Sequence, residues 1–305
     1  MKKVLFTTTA LIASAGFASA QGVSLSGSAV LGIWGGDDVE TQFFTDIDVT
    51  FTMSGETDNG LTFGANVDLD ESDGDPSGAF GGLTQGGEVV YLKGAFGNIN
   101  AGDTDGALDW ALTEAIIGGT VGDVNEHAGY NGNAGLDGAS DGATGDGQVV
   151  RYDYSFGDFA FAVSAEIDTD AGDDNIFGVG GKYSGDLGGV TLGVGIGYQS
   201  NSDVDLMGIS LDVASDNGLR AIVNYTDSGD ADVTHTGLAV GYTMDALTVA
   251  VNWGVYDTPA GDTEGTALTV NYDLGGGAEL QAGYAANDIL GVDANRFSLG
   301  VAMSF

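Results

Sequence analysis

Cysteine is absent from the 305 residues, which removes disulfides and zinc–thiolate sites and leaves stability to the fold itself. Basic residues are scarce: seven Lys and Arg stand against 45 Asp and Glu. So acidic a chain is a poor partner for nucleic acid, whose binding rests on neutralising phosphates. Long apolar runs are also missing after residue 17, so no later segment is a candidate transmembrane helix, which takes about 20 apolar residues. Histidine occurs twice, as His127 and His235, and no nucleophile stands near either at a recognisable spacing. Nothing suggests the nucleophile–base–orienter set of a hydrolase, and the chain reads as no enzyme. Nothing in it calls for a cofactor.

What is present begins with Lys2 and Lys3, an apolar run from Val4 to Phe17, and the small residues Ala18-Ser19-Ala20. That is the pattern of a secretory signal peptide, too short to span a bilayer. Residues 1–20 are expected to be removed on export, leaving one domain, 21–305. Only five cations then remain: Lys93, Arg151, Lys182, Arg220 and Arg296. Disorder is excluded by a 43% hydrophobic content with 11 tyrosines.

The apolar residues alternate in twos almost everywhere, with no sustained helical stripe. About sixteen strands follow, among them 23–35, 98–106, 190–200, 264–274 and 294–305. Tight turns such as "TDNG", "FGN", "FGD", "DLGG" and "SDNG" join them in pairs. Longer acidic loops lie between the hairpins, the longest at about 108–147. One trimmed edge and one elaborated edge is the asymmetry of an outer-membrane β-barrel.

A soluble sandwich would alternate too, so the charges decide. Each of the five cations falls on the polar phase of its strand, as do Asp46, Asp48, Asp68, Asp70, Asp153, Glu166 and Asp212. A barrel wall demands this, since Lys or Arg facing mid-membrane costs about 2–4 kcal/mol. Aromatics on the apolar phase form two candidate girdles. Phe156, Phe159, Tyr183, Tyr242, Tyr272 and Phe305 belong to the periplasmic rim; Tyr198, Tyr225, Trp253 and Tyr284 belong to the outer rim. The many glycines, mostly on the inward phase or in turns, fit strong curvature and close packing at barrel bends, and the plainer reading is that glycine marks loops. The last strand, "NRFSLGVAMSF", is expected to pair with "VSLSGSAVLGIW" and close the barrel, because an open edge is not tolerated in lipid.

The stretches "VTFTMSGETDNGLTFGANVDLDES", "VYLKGAFGNINAGDTDGALD", "YDLGGGAELQAGYAANDI" and "FSLGVAMSF" resemble the general diffusion porins of the Rhodobacter and Paracoccus type. Residues Phe51 to Gly64 and Lys93 to Asp103 carry the most specific part. The resemblance implies a sixteen-stranded, transmembrane antiparallel barrel of the Gram-negative outer membrane, assembled as a homotrimer. It implies that the long third outer loop folds into the lumen and places Asp103, Asp105, Asp109, Glu114, Asp123 and Glu126 at or near the narrowing. It implies basic side chains on the opposite wall, several on the first two strands. Here this sequence departs, offering Val30 on the first strand and Asp46 and Asp48 on the second. The C-terminal Phe305 resembles the signal by which such barrels are recognised for assembly.

These readings lead to a water-filled channel for passive diffusion of small hydrophilic solutes and ions, with cations preferred by an acidic lumen. Small outward residues such as Gly27 and Ala29 offer a face for a neighbouring barrel. "DESDGDPSG" and "DTDAGDDN" have the oxygen chemistry for Ca²⁺ or Mg²⁺, and a solvated acidic surface is the other reading. The metal question stays open, since neither matches an EF-hand loop. The rival is a secreted acidic calcium-binding adhesin or surface-layer protein, but the nine-residue repeat "GGxGxDxUx" of such proteins does not recur.

Overall fold

The computed structural model describes residues 21–37, 39–70, 84–133, 135–136, 149–167, 175–229 and 231–305. The signal-peptide reading lies outside them, as do both calcium-candidate stretches apart from Asp70 and Asn175. Sixteen wall strands follow one another: β1 (Gln21–Gly36), β2 (Gln42–Glu56), β3 (Thr62–Asp70), β4 (Thr84–Gly94), β5 (Gly97–Gly102), β6 (Val149–Phe156), β7 (Phe159–Glu166) and β8 (Ile176–Asp186) make the first half. The second half is β9 (Val190–Ser200), β10 (Asp205–Ser215), β11 (Leu219–Ser228), β12 (Val233–Met244), β13 (Leu247–Thr258), β14 (Gly261–Gly275), β15 (Ala278–Ile289) and β16 (Arg296–Ser304). A two-residue ladder, Val292–Asp293, extends the pairing of β15 just before β16.

Every strand pairs antiparallel with its sequence neighbours, and β16 pairs with β1 from Ser28↔Ser304 to Gly36↔Arg296. The Phe305 N–H donates to the Gly27 carbonyl at 2.9 Å and the Gly27 N–H to the Phe305 carbonyl at 3.3 Å, so the seam is bonded to the last residue. The barrel is closed and every strand lies between two hydrogen-bonded neighbours. The sequence reading of strand five over 98–106 is corrected at its end: β5 stops at Gly102, and the long loop leaves the wall at Asp103.

Alternation along each strand explains the wall. On β13, Val249 and Val251 are exposed while Ala250 and Asn252 are buried; on β9, Ile196 is exposed while Gln199 is fully buried. The apolar phase faces out, and the polar or small phase faces in. The turns on one edge are tight because their residues reach positive φ cheaply, as at Gly157 (φ 60°) and Gly218 (φ 98°).

The outward surface changes character at the predicted outer aromatics. Above Tyr198 lies Asp205 and above Tyr225 lies Asp227, and each tyrosine hydroxyl donates to that acid, at 2.8 and 3.0 Å. At the other edge the rings touch: Phe156 stacks on Phe159 with centroids 5.9 Å apart, and Phe159 meets Tyr183 at 5.0 Å. Tyr242, Tyr272 and Tyr284 are exposed, as is Phe305; Trp253 is half-buried.

Candidate functional site

The interior is organised by residues 103–136. They include the helical turn α1 (Ala107–Ala111) and a 3₁₀ turn (Val121–Asp123). One edge of this loop is apolar and buried: Leu108, Ala111, Leu112, Ala115, Ile117, Val121 and Val124. That edge meets inward alanines and Ile222 of the wall, forming small apolar clusters inside the barrel. The opposite edge carries the acids.

The loop lies along the inner face of the wall, held by uncharged polar side chains. Ser164 of β7 accepts from the Ala107 N–H at 2.8 Å, and Ser210 of β10 from the Thr113 N–H at 2.9 Å. Asn224 donates to the Thr113 carbonyl, Thr269 to that of Ile117 and Asn271 to that of Gly119. The chain then reaches β16, β1 and β2, where Val121 lies against Gly32 and Gly300 and Gly122 against Phe44. It returns past β13, where Asn252 donates to the Asn125 carbonyl at 2.9 Å, and ends near β9, where Gln199 accepts from the Leu136 N–H.

Glycines on the wall make the close approach possible. Gly180, Gly197 and Gly208 are register neighbours on β8, β9 and β10; Gly237, Gly254 and Gly265 are register neighbours on β12, β13 and β14. A Cβ at Gly197 would meet Leu108 at 2.8 Å, one at Gly237 would meet Ala115 at 2.8 Å, and one at Gly254 would run into the Gly129 carbonyl. Close packing is what these inward glycines serve here: they leave room for a second layer of backbone.

Both histidines serve this seat. His235 of β12 is buried, with Nε2 2.9 Å from the Gly129 carbonyl and its ring 4.7 Å from that of Tyr256. His127 is buried in the loop, and its Nδ1 accepts from the Gly129 N–H at 3.1 Å. Burial pushes the His127 imidazole down to about 4, with His235 adding repulsion, so it is neutral near pH 7.

The predicted loop acids fall into two groups. Asp103, Asp105, Asp123 and Glu126 are exposed, and Asp109 and Glu114 are half-buried. Enclosure within the barrel, with repulsion from Asp123 and Glu114, pushes the Glu126 carboxyl up to about 7. Enclosure also raises Asp123, and repulsion from Asp48 of β2 adds to it. Glu114 is raised by burial, an effect opposed by the Tyr130 hydroxyl, which donates to it at 2.5 Å, and reinforced by Asp105. Asp46, Asp48 and Asp68 lie on the inward phase of β2 and β3; Ser28 donates to Asp48 at 2.7 Å and Thr50 to Asp68 at 3.0 Å. Asp70 belongs to the same phase of β3 by register.

The five cations do not form one bank facing these acids. Arg151 is buried, and it donates to the Asp105 carbonyl at 2.5 Å and lies 3.6 Å from both Asp105 and Asp153 carboxylates. Lys182 donates to the Trp110 carbonyl at 2.8 Å, with its ammonium 3.7 Å from the Trp110 ring centroid. Arg220 makes a bidentate pair with Asp212, at 3.0 and 2.7 Å, beside the β10–β11 turn. Arg296 lies over Trp34 at 5.7 Å near the outer end, and Lys93 is exposed beside the β4–β5 turn. Asn224, Asn252, Asn271, Ser164, Ser210 and His235 were not singled out as loop-holding residues from the sequence. The signal was there as an imbalance: uncharged polar and glycine residues dominate the inward phase of β7–β15, whereas acids cluster on that of β2–β3 as Asp46, Asp48, Asp68 and Asp70. Among the described residues, no three or more His, Asp or Glu side chains form a group that could hold a metal.

A closed sixteen-stranded antiparallel barrel, apolar outside and polar within, with an acidic loop along its inner wall, defines an outer-membrane channel protein. The family model described as Gram-negative porin matches residues 7–289. The chain is 32% identical to the porin of Rhodobacter capsulatus over 314 residues, covering 93% of this chain and all of that one. A refined porin structure superposes with a TM-score of 0.71 at 28% identity, over 93% of this chain and all of that one. A mutant porin of Rhodopseudomonas blastica shares the fold, with a TM-score of 0.70 at 18% identity over the same shares. The chain belongs to the Gram-negative porin family: a non-enzymatic barrel of the outer membrane for passive diffusion.

Proposed function

We propose that this porin passes small hydrophilic solutes and prefers cations, with the inner loop setting the size limit. The observation that carries the reading is acid gathered where the loop rests on the β2 wall. Asp123 on the loop is close enough to Asp48 of β2 for the two to repel, Glu126 is repelled by Asp123 in turn, and Asp46 and Asp68 share the inward phase with Asp48. The cations that would oppose this field are engaged: Arg151 and Lys182 with the loop, Arg220 with Asp212. An ion entering such a lumen meets a negative potential with low-dielectric walls, which enriches cations over anions.

The test is the reversal potential of the channel in a planar bilayer across a KCl gradient. The expected sign is that of cation preference, weakening as salt rises, because the Debye length falls from about 10 Å at 0.1 M to about 3 Å at 1 M. Anion preference at low salt would refute the reading.

The same proposal includes export with removal of residues 1–20, and assembly as a trimer through the β1–β5 side. Support for the trimer comes from β5, only six residues long. At about 3.3 Å per residue it covers roughly 20 Å before tilt, less than the apolar band of about 25 Å that lipid requires. Gly27 and Ala29 on the adjoining outward face of β1 permit close packing. Cross-linking in detergent tests it, with a ladder ending at three copies as the expected pattern.

A further inference from the structure

We propose that Lys182 and Trp110 form a clasp that positions the start of the inner loop, so that Lys182 governs the size limit of the channel and not the sign of its field. The proposal rests on the reading above in which the loop sets that limit.

The geometry carries it. Helix α1 is only five residues long, too short to hold its shape by its own hydrogen bonds. Its two ends are gripped instead by cations from the wall. At the front, Arg151 of β6 donates to the Asp105 carbonyl, and is itself braced by Asp153, which accepts from Asn98 at 2.7 Å and Asn100 at 3.3 Å on β5. At the back, Lys182 of β8 donates to the Trp110 carbonyl and sits 3.7 Å from the centre of the Trp110 ring. A last-turn helix carbonyl has no partner within the helix, and a cation satisfies it well. An ammonium over an indole face adds a second, independent attraction. The Arg151 guanidinium lies 6.0 Å from the centre of the same ring, so both cations are near the indole. Beneath, Gly180 and Gly195 let Ala107 and Ala111 come down onto the wall.

Two of the five mature cations are thus spent on one turn of the loop. Asp105 and Asp153 pair with Arg151, and the lumen beyond them is acidic. Removing the Lys182 charge should therefore make an already cation-preferring lumen slightly more so, leaving the sign of its field unchanged, while freeing the loop to move.

The test compares Lys182→Met, Trp110→Leu and the double variant in planar bilayers. Each is read by reversal potential in a KCl gradient and by the smallest polyethylene glycol that fails to lower single-channel conductance. Lys182→Met is expected to admit larger polyethylene glycols and to raise open-channel current noise, with the cation-to-anion permeability ratio rising by no more than about twofold at 0.1 M salt. Trp110→Leu, which alters no charge, should shift the size limit in the same direction. The double variant should shift it no further than Lys182→Met alone, as partners in one contact do. Lys182→Arg, which keeps both donor and stacking charge, should restore the native limit.

The clasp is overturned if Lys182→Met changes ion preference at an unchanged size limit, or if Trp110→Leu leaves that limit native. Failure of the underlying reading looks different. A bulky change on the loop itself, Asp123→Trp, would then leave the native size limit where it was, whereas a loop that sets the limit through some other anchor would still give Asp123→Trp a smaller one.

Discussion

The titration of Glu126 gives the sharpest test of the channel's electrostatics. An acid with a pKa near 7, raised from its ordinary 4.5, holds most of its proton below about pH 6 and loses it across neutrality. One negative charge is therefore added to the loop as pH rises from about 6 to about 8, and selectivity for cations should rise with it. For an ion passing about 8 Å from the carboxylate through water-like surroundings, Coulomb's law gives roughly 0.5 kcal/mol. Screening at 0.1 M salt reduces that to about 0.2 kcal/mol, and at 0.01 M to about 0.4 kcal/mol. Cations gain and anions lose by the same factor, so the permeability ratio should change about twofold at 0.1 M and nearly fourfold at 0.01 M. The assay is reversal potential against pH, from 5 to 9, for the native channel and Glu126→Gln. In the variant the step near 7 should vanish. A native step centred near 4.5, or one that survives in Glu126→Gln, would refute the placement of this acid among Asp123 and Glu114.

Other outcomes follow from the wall and its seam. Gly254→Ala places a methyl against the Gly129 carbonyl, and overpacking of this kind costs about 1–3 kcal/mol; heat-modifiable gel mobility should convert at a lower temperature than in the native barrel. Val251→Arg, on the outward mid-wall of β13, should cost about 2–4 kcal/mol in a bilayer, measured by denaturant refolding into vesicles, whereas an arginine on the inward phase should cost far less. Deleting Phe305 removes one end of the seam pairing with Gly27; the yield of barrel in the outer membrane should fall, read by immunoblot of outer-membrane fractions.

The wall was legible because a period of two is local: each strand announces itself within its own few residues. Reading 190–200 and β9 as the same stretch needed nothing beyond "VTLGVGIGYQS". Parity also put every cation on the inward phase, but parity carries no height. That is why Arg151 and Lys182 could be assigned to the wall yet not to the loop they hold. The path of the loop was hidden for another reason. Its bonds reach far along the chain, as Thr113 to Ser210 and Asn252 to Asn125 do, and its own residues have no repeating period to betray a face. Strand ends were least legible where the chain leaves the wall without a turn signal, as at Gly102.

The aligned glycines of β8–β10 and β12–β14 have a consequence for how such a passage can change. A side chain that is absent is as informative as one that is present: the wall is a mould, and the loop is the casting that fits it. Widening the loop residues without deepening the mould produces a collision, and filling the mould without thinning the loop does the same. The bore is thus written twice in this chain, once in residues 103–136 and once in the gaps of strands that come later. Members of the family with a different size limit should differ in both places together.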